Sequence, residues 1–431
     1  MIIMNKKLLF LTLLMSIWSW SQTTYLHCGK IFDSENAKML GPHTLIVEGN
    51  TITAIKKGYI TTEQEETVVI DLKSKTVYPG FIDMHVHIEG EYTPARYLKV
   101  FQDNPADTAF EAAEIAVRTL MAGFTTVRDM GGTGVNISLR NAINKGIAKG
   151  PRIFTAGKAI SSTGGHLDPT NGYKATLQGD PGPKEGVVNS VDDARKAVRQ
   201  RYKNGADWIK ITATGGVLSV ANSGQNPQFT EEEIRAITKT ASDYGFKVAA
   251  HAHGDQGMYR AVKNGVTTIE HGTLIEKRTM QLMKEKKVYL VTTISAGKFV
   301  GENAKKPGVY PKVIADKAIK IGLQIQETFK RAYEFGVPIA FGTDGGVYPH
   351  GQNAKEFIYM NEVGMPVAEA LQSATFVNAK ILGKEKQLGQ LAPGFFADIV
   401  ATEENALDNV NTLTQVIFVM KDGVVYKNKQ D

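Results

Sequence analysis

The chain has 431 residues and a formal net charge of +6, with 22% charged and 42% hydrophobic residues. This balance is typical of a soluble globular protein and excludes a disordered chain or a multi-span membrane protein. Lysines and arginines are spread among acidic residues, so a nucleic-acid partner is not expected. The length allows two or three average domains, or one large α/β barrel with a small attached domain.

The first segment has the features of a secretory signal peptide. Two lysines precede an apolar run over residues 8–17, which is too short to remain as a membrane anchor, and a small polar segment ends at Ser21. We therefore expect residues 1–21 to be removed, leaving an exported, periplasmic or secreted protein with no stable membrane span. The single cysteine, Cys28, cannot form an intrachain disulfide. Stability must then come from a packed core and from bound metal.

Both ends of the mature chain have the pattern of short β-strands. Residues 22–78 contain strand-like segments such as 43–48 and 51–55, and residues 388–431 contain a similar set. Neither end has enough strands to enclose a core alone. We therefore predict that the two ends pair into one small β-sandwich domain.

Between these ends, residues 79–387 alternate eight β-type runs with segments of helical periodicity. The runs are Tyr78–His85, Thr125–Arg128, Arg152–Ala156, Trp208–Thr212, Lys247–Ala250, Thr267–Glu270, Tyr289–Thr293 and Pro338–Gly342. One helical segment begins with the capping pair Thr230 and Glu233. The alternation predicts an α/β fold, a (β/α)8 TIM barrel. A doubly wound open sheet uses the same alternation, but would not normally need eight strands.

The first candidates for chemistry are His85 and His87. Side chains two residues apart on a strand point to the same face, so both imidazoles can hold one metal ion. Four more candidates lie at or just past later strand ends, where a barrel places its active site. They are Lys210, His251, His271 and Asp344. Any single one could be an ordinary core or loop residue. It is improbable, however, that chance places six such residues at the ends of five strands.

Several segments resemble the metal-dependent amidohydrolase superfamily, and the resemblance extends over nearly the whole mature chain. The superfamily signatures are residues 81–87 (FIDMHVH), 267–272 (TTIEHG), 341–344 (FGTD) and 388–400 (LGQLAPGFFADIV). Other segments resemble the branch that contains secreted Xaa-Pro dipeptidases and related dipeptide and N-acyl-amino-acid hydrolases. These are residues 125–132 (TTVRDMGG), 163–169 (TGGHLDP), 208–211 (WIKI) and 214–217 (TGGV).

The resemblance implies a site for two divalent metal ions, expected to be Zn²⁺. It implies that His85 and His87 hold one ion together with Asp344. It implies that His251 and His271 hold the other. Histidine nitrogens and carboxylate oxygens are ordinary ligands for such ions.

The resemblance also implies that Lys210 becomes a CO2-derived carbamate that bridges the two ions. Burial near metals would destabilise the lysine cation and favour the neutral amine that reacts with CO2. An ordinary snorkelling or ion-paired lysine is the alternative. In the implied mechanism a metal-bridging hydroxide attacks the amide, and Asp344 passes the proton to the leaving nitrogen. The two ions outweigh the negative charges around them, so the site should attract anionic substrates.

Five residues are expected to contact the substrate. They are His166, His253, Arg128, Tyr348 and His350. His253 could instead be a third nitrogen ligand, and His166 a plain loop histidine. Arg128 could form a bidentate clamp on a carboxylate, or a structural ion pair with Asp129.

The sequence therefore predicts a metal-dependent hydrolase of amide bonds in dipeptides, Xaa-Pro-like or with other C-terminal residues, or in N-acyl amino acids. The substrate is expected to carry a free C-terminal carboxylate, because the positive metal pair, Arg128 and His253 would bind it. It is also expected to be small, because long segments at 161–187 and 296–316 are predicted to form lids that exclude folded chains. One alternative is a cyclic amidohydrolase or deaminase of the imidazolonepropionase type. Another is a non-catalytic, metal-stabilised binding protein. Homo-oligomer formation is compatible with the sequence.

Overall fold

The computed structural model of the protein describes residues 23–61, 67–93, 96–221 and 223–429. The predicted signal peptide over residues 1–21 lies outside these ranges. Within them, no helix is both long enough and apolar enough to cross a membrane.

The strands divide into a small mixed sheet and a larger parallel arrangement. In chain order they are β1 Thr23–Asp33, β2 Lys38–Leu40, β3 His43–Glu48, β4 Thr51–Lys57, β5 Val68–Pro79, β6 Phe81–Val86, β7 Phe124–Asp129, β8 Arg152–Thr155, β9 Ile209–Thr212, β10 Val248–Gly254, β11 Thr268–Leu274, β12 Tyr289–Val291, β13 Ile339–Ala340, β14 Ile399–Thr402, β15 Phe418–Lys421 and β16 Val424–Asn428.

Most of the helices lie between the parallel strands. In chain order they are α1 Arg96–Gln102, α2 Pro105–Met121, α3 Val135–Asn144, α4 Ala175–Gln178, α5 Val191–Asn204, α6 Glu231–Asp243, α7 Asp255–Lys263, α8 Lys277–Lys286, α9 Ile294–Ala304, α10 Lys312–Ile321, α11 Ile325–Phe335, α12 Lys355–Glu362, α13 Val367–Gln372 and α14 Asn378–Leu382. Helix α6 begins with the predicted capping box of Thr230 and Glu233.

The strands from the two chain ends share one mixed sheet. Its order is β16-β15-β14-β5-β1-β3-β4, with β2 paired to β1. The ends meet where β14 pairs antiparallel with β5, with Ile399 opposite Pro79. A buried apolar cluster that includes Leu26, Val77 and Phe418 stabilises this unit. The further prediction that the unit is a two-layer sandwich stays a prediction.

The eight strands β6 to β13 are parallel and form a ring. Strands β6 to β8 make one sheet and β9 to β13 another. Parallel bridges between Ile160 and Ile211, and between Val86 and Gly345, join these sheets at both seams. At the second seam the His87 N–H donates to the Gly345 carbonyl at 2.7 Å. An open doubly wound sheet would have free edges at these two positions.

Two strands of the ring extend beyond their predicted ends. The prediction ends them at residues 250 and 270, whereas β10 continues to Gly254 and β11 to Leu274. His251 and His271 therefore lie inside strands and not after them. The apolar runs used for the prediction stop at these histidines, because polar residues interrupt the pattern of a buried strand.

The segment at 296–316, predicted to be a lid loop, is mostly helical, within α9 and α10. The Glu356 carboxylate accepts hydrogen bonds from the backbone N–H groups of Ile294 and Ser295, at 2.7 Å each, and so caps the start of α9. The local sequence does not show this helix start, because the capping residue Glu356 comes from a distant part of the chain.

Candidate metal centre

His85 and His87 lie at the end of β6 and both face Asp344. Asp344 Oδ1 is 3.5 Å from His85 Nε2 and 3.4 Å from His87 Nε2. On the other side of each ring, His85 Nδ1 is 2.7 Å from Glu270 Oε2, and His87 Nδ1 is 2.8 Å from the Gly131 carbonyl oxygen. Because each Nδ1 donates to an oxygen, the lone pair of each neutral imidazole is on Nε2, the nitrogen on the side of Asp344.

The backbone around Asp344 fixes the position of its carboxylate. Asp344 has a left-handed backbone, with φ of 59°. Its N–H donates to the His85 carbonyl at 2.7 Å, and the His87 N–H donates to the Gly345 carbonyl at the same distance. These bonds fasten the loop after β13 to β6. The carboxylate is therefore held beside the two histidines by the fold itself.

His251 and His271 come from neighbouring strands but reach the site differently. In the parallel register His251 lies beside Glu270, so regular alternation would turn His271 away from the ring's interior. A left-handed backbone at His271, with φ of 71°, breaks the alternation. Its ring centroid lies 4.7 Å from that of His251 and 5.1 Å from that of His85. Such a conformation is rare for a non-glycine residue and clusters at functional sites.

The outer nitrogens of this second pair are also bonded to the protein. His271 Nδ1 is 2.8 Å from Thr293 Oγ1, and His251 Nε2 is 3.2 Å from the Gly215 carbonyl oxygen. His271 is therefore left with Nε2 for a metal, and His251 with Nδ1. Bonds of this kind orient histidine ligands in metal sites.

Lys210 lies in β9 between the two histidine pairs. Its side chain is 2% exposed, and Nζ lies 3.4 Å from His85 Nε2. Burial lowers the pKa of Lys210 to about 8, while the negative charges of Glu270 and Asp344 oppose this shift. A neutral amine is therefore accessible at this position near neutral pH.

The donor set fits a divalent cation. His85, His271 and Asp344 each offer one ligand atom, and these atoms lie within 4.8 Å of one another. Burial lowers the pKa of His85, His251 and His271 well below the usual value, so these imidazoles are neutral and their lone pairs are available.

His166 and His253, two predicted substrate contacts, lie against the metal-site histidines. The His166 ring stacks on His251 with centroids 4.3 Å apart, and the His253 ring stacks on His271 with centroids 5.1 Å apart. His253 Nδ1 is 2.8 Å from Thr273 Oγ1. Burial lowers the pKa of His253 to about 3 and that of His166 well below its usual value. Both rings are therefore neutral and can exchange hydrogen bonds with a substrate.

Two glycines of the TGGV segment make this packing possible. A Cβ on Gly216 would lie 2.1 Å from Cε1 of His166, and a Cβ on Gly215 would lie 2.1 Å from the Ser223 carbonyl oxygen. Any side chain at either position would displace the neighbouring group. The motif therefore allows the backbone to approach the site closely.

Arg128 does not face the substrate, contrary to the predicted carboxylate clamp. The side chain is fully buried, at 0% exposure. Its Nη2 is 2.9 Å from Glu270 Oε1, its Nε is 2.6 Å from the Met84 carbonyl oxygen, and its Nη1 is 3.1 Å from Thr268 Oγ1. Each guanidinium nitrogen is thus bonded to the protein beneath the site. The alternative of a structural ion pair agrees with this geometry, but the partner is Glu270 and not Asp129.

Replacing Arg128 with leucine should destabilise the fold. Arg128 and Glu270 are both fully buried, so the change would leave the Glu270 carboxylate without its counter-charge. Breaking such a pair typically costs about 3–5 kcal/mol of unfolding free energy. Urea denaturation of the two proteins would measure the loss.

A matched control for this prediction is Arg195→Leu. Arg195 pairs with Asp192 at the surface, where its side chain is 49% exposed. Such a pair contributes about 0–1 kcal/mol. An Arg128→Leu protein as stable as the Arg195→Leu protein would contradict the assignment of Arg128 as a buried structural cation.

His350 and Tyr348 differ in their relation to the site. His350 Nδ1 is 3.2 Å from Thr119 Oγ1, and its Nε2 is 3.2 Å from the His87 carbonyl oxygen. The predicted substrate contact is therefore corrected, because both nitrogens contact protein atoms and the ring supports the strand end that carries His87. Tyr348 is buried with its ring 6.2 Å from that of Phe299, which is compatible with the predicted pocket wall.

Glu270 is a functional residue that the sequence prediction missed. Its carboxylate accepts from His85 Nδ1 and from Arg128, and it contacts the Thr268 hydroxyl. It therefore fixes which nitrogen of His85 faces a metal. Two features of the sequence could have indicated Glu270. It directly precedes His271 in the TTIEHG segment, and it lies two residues after Thr268, so both side chains are on the same face of β11.

Comparisons with known proteins identify the family of this chain. The sequence profile of the Amidohydrolase family matches residues 76–426, and the chain belongs to that family. A solved structure of a Xaa-Pro dipeptidase, with methionine bound in its active site, is 49% identical, with a TM-score of 0.91, and covers 94% of this chain and 100% of that chain.

Two curated relatives are more distant. Ochratoxinase of Aspergillus niger is 31% identical over 373 residues, which is 81% of this chain and 75% of that protein. Imidazolonepropionase of Clostridium tetani is 22% identical over 428 residues, which is 91% of each chain. The predicted resemblance is thus confirmed, and the protein is an enzyme that hydrolyses carbon–nitrogen bonds in small molecules. Members of this family generally bind divalent metals.

Proposed function

We propose that the protein is a metallohydrolase that cleaves the amide bond of dipeptides, Xaa-Pro-like or with other C-terminal residues, or of N-acyl amino acids. The observation that carries the proposal is the position of Lys210, buried with Nζ 3.4 Å from His85 Nε2. A lysine within the histidine cluster supports this type of enzyme over an imidazolonepropionase type, which generally uses one metal without such a lysine.

The cluster would hold two divalent ions, with zinc as the expected metal. His85, His87 and Asp344 would hold one, His251 and His271 the other, and the carbamate of Lys210 would join them. The neutral imidazoles and the bonds to their outer nitrogens support this arrangement. Bound ions would supply an acidified water and would polarise the scissile carbonyl.

Asp344 would handle the proton of the reaction. An amine leaves an amide readily only after it has gained a proton, so a group in the site must collect the proton of water and deliver it to that nitrogen. The Asp344 carboxylate lies beside both histidines of β6 and is held there by its own backbone. His166 and His253 would orient the substrate through their neutral rings.

The substrate is proposed to be small and to carry a free carboxylate. A net positive metal site would attract the anion, and the similarity to a Xaa-Pro dipeptidase supports a dipeptide with proline or another apolar residue at its C-terminus. The predicted signal peptide would make this an exported, periplasmic or secreted enzyme.

A substrate comparison on purified, metal-analysed protein tests the function. We expect hydrolysis of Xaa-Pro dipeptides or N-acyl amino acids, and no turnover of the imidazolone ring substrate. Amidation of the C-terminus should lower kcat/KM by roughly 10-fold or more, because a hydrogen bond to a charged group contributes about 1.5–3 kcal/mol. Turnover of the imidazolone alone would favour the second candidate. Metal-loaded protein without hydrolysis of any of these substrates would contradict the proposal.

A further inference from the structure

A buried lysine outside the metal cluster has not been given a role by the proposed chemistry. Lys317 in α10 is 7% exposed. Its Nζ donates to three backbone carbonyl oxygens, those of Gly216 at 3.0 Å, Ser219 at 2.5 Å and Ala221 at 2.7 Å. The loop after β9 thus wraps around a single ammonium group.

No acidic side chain of the described residues forms an ion pair with Lys317, whose contacts are these three carbonyls. Burial lowers the pKa of Lys317 to about 8, with no opposing effect from a carboxylate. Burying a cation without a counter-ion costs free energy. The three carbonyl dipoles offset part of this cost, but no carboxylate of the described residues neutralises the charge.

Gly216 and His166 lie between Lys317 and the metal-site residue His251. The Gly216 carbonyl that it contacts belongs to the glycine whose α-carbon lies against the His166 ring, where a Cβ would be 2.1 Å from Cε1. That ring stacks on His251 with centroids 4.3 Å apart. The charge of Lys317 also contributes to the lowered pKa of His253 and of His166. The positive charge thus lies behind His166, one of the two proposed substrate contacts.

We propose that Lys317 is a specificity-determining residue whose positive charge favours substrates with a free carboxylate next to the scissile amide. This inference rests on the proposed function and deepens it. All three ammonium hydrogens are occupied by carbonyls, so Lys317 acts through its electric field across Gly216 and His166. The field extends to the site because Lys317 is buried, where solvent screens a charge less than at the surface, and because no described carboxylate pairs with it. In contrast to Lys317, Arg128 is paired with a carboxylate, that of Glu270.

The test is the ratio of kcat/KM for a Xaa-Pro dipeptide to kcat/KM for the C-terminal amide of the same dipeptide. Lys317→Gln removes the charge and keeps hydrogen-bond donors, and Lys317→Met is a second neutral variant. We expect this ratio to fall by roughly 10-fold in both. Lys317→Arg retains the charge and should keep the ratio within about threefold of wild type. Bound metal is measured for every variant.

Lys320→Met is the matched control, because it removes an exposed charge from the same helix. Its ratio should equal that of wild type, since solvent screens the charge. A purely structural role for Lys317 would lower kcat/KM for both substrates together, and an unchanged ratio in metal-loaded Lys317→Gln or Lys317→Met overturns the inference. A wild-type enzyme that cleaves neither peptide overturns the proposed function, and that failure is recognisable before any variant is made.

Discussion

Lys210→Ala should lose bound metal and activity together. If the lysine carries a carbamate that joins two ions, wild-type protein should contain close to two divalent ions per chain, and the alanine variant clearly fewer. Turnover should fall by roughly 10³-fold, because metal ions contribute several kcal/mol to the stabilisation of the transition state. Inductively coupled plasma mass spectrometry gives the metal content, and dipeptide hydrolysis gives the turnover.

Two further measurements separate the bridge from a general effect of removing a lysine. Small carboxylic acids resemble a carbamate, so adding them should restore part of the metal and part of the activity to Lys210→Ala. Lys247→Ala is the control, because Lys247 lies just before β10, at the opposite end of the strand from its histidines, and donates to the Ile381 carbonyl. It should keep its metal. A fully metallated and active Lys210→Ala protein would rule out the bridge.

Much of the site was predictable because its geometry follows from strand direction. In parallel strands that alternate with helices, all carboxyl ends lie on one side, so a residue near a strand end can be assigned to a common site without any contact information. His85 and His87 needed only the two-residue repeat of a strand. Lys210, inside β9, needed the same reasoning. For these residues, the local pattern and the fold class contain the necessary information.

The errors concern residues whose partners are distant in the chain. Arg128 was expected to contact the substrate because it lies near the end of β7. Its guanidinium instead donates to Glu270 and to the Met84 carbonyl, beneath the site. His350 follows Asp344 closely, yet it turns back to the His87 carbonyl. The position of a residue along its strand predicts at which end of the ring the residue lies. It does not predict whether a long side chain points towards the substrate or into the protein, because that depends on where its charged and hydrogen-bonding partners lie.

His271 shows a further limit. Simple alternation after Glu270 would place it outside the ring, and only its left-handed backbone brings it in. A sequence pattern does not report a positive φ at a histidine. Its position near a strand end made His271 a candidate, but the residue pattern does not show that both Glu270 and His271 can face the interior.

Asp344→Asn should separate catalysis from metal binding. Asparagine keeps an oxygen ligand of similar shape, and the backbone bonds to His85 and His87 that hold the loop involve no side chain. It cannot carry a proton, so kcat should fall by roughly 10²-fold or more. A substantial part of the metal should remain. Turnover and metal content are measured on the same preparation.

Asp255→Asn is the matched control, since Asp255 and Asp344 are both 8% exposed but Asp255 pairs with Arg278 outside the cluster. Its kcat should stay within about threefold of wild type, because it handles no proton of the reaction. Unchanged turnover in Asp344→Asn would exclude the assigned proton transfer. Equal loss of metal and turnover would instead make Asp344 chiefly a ligand. Because one carboxylate is assigned both roles, only the difference between these two measurements can distinguish them.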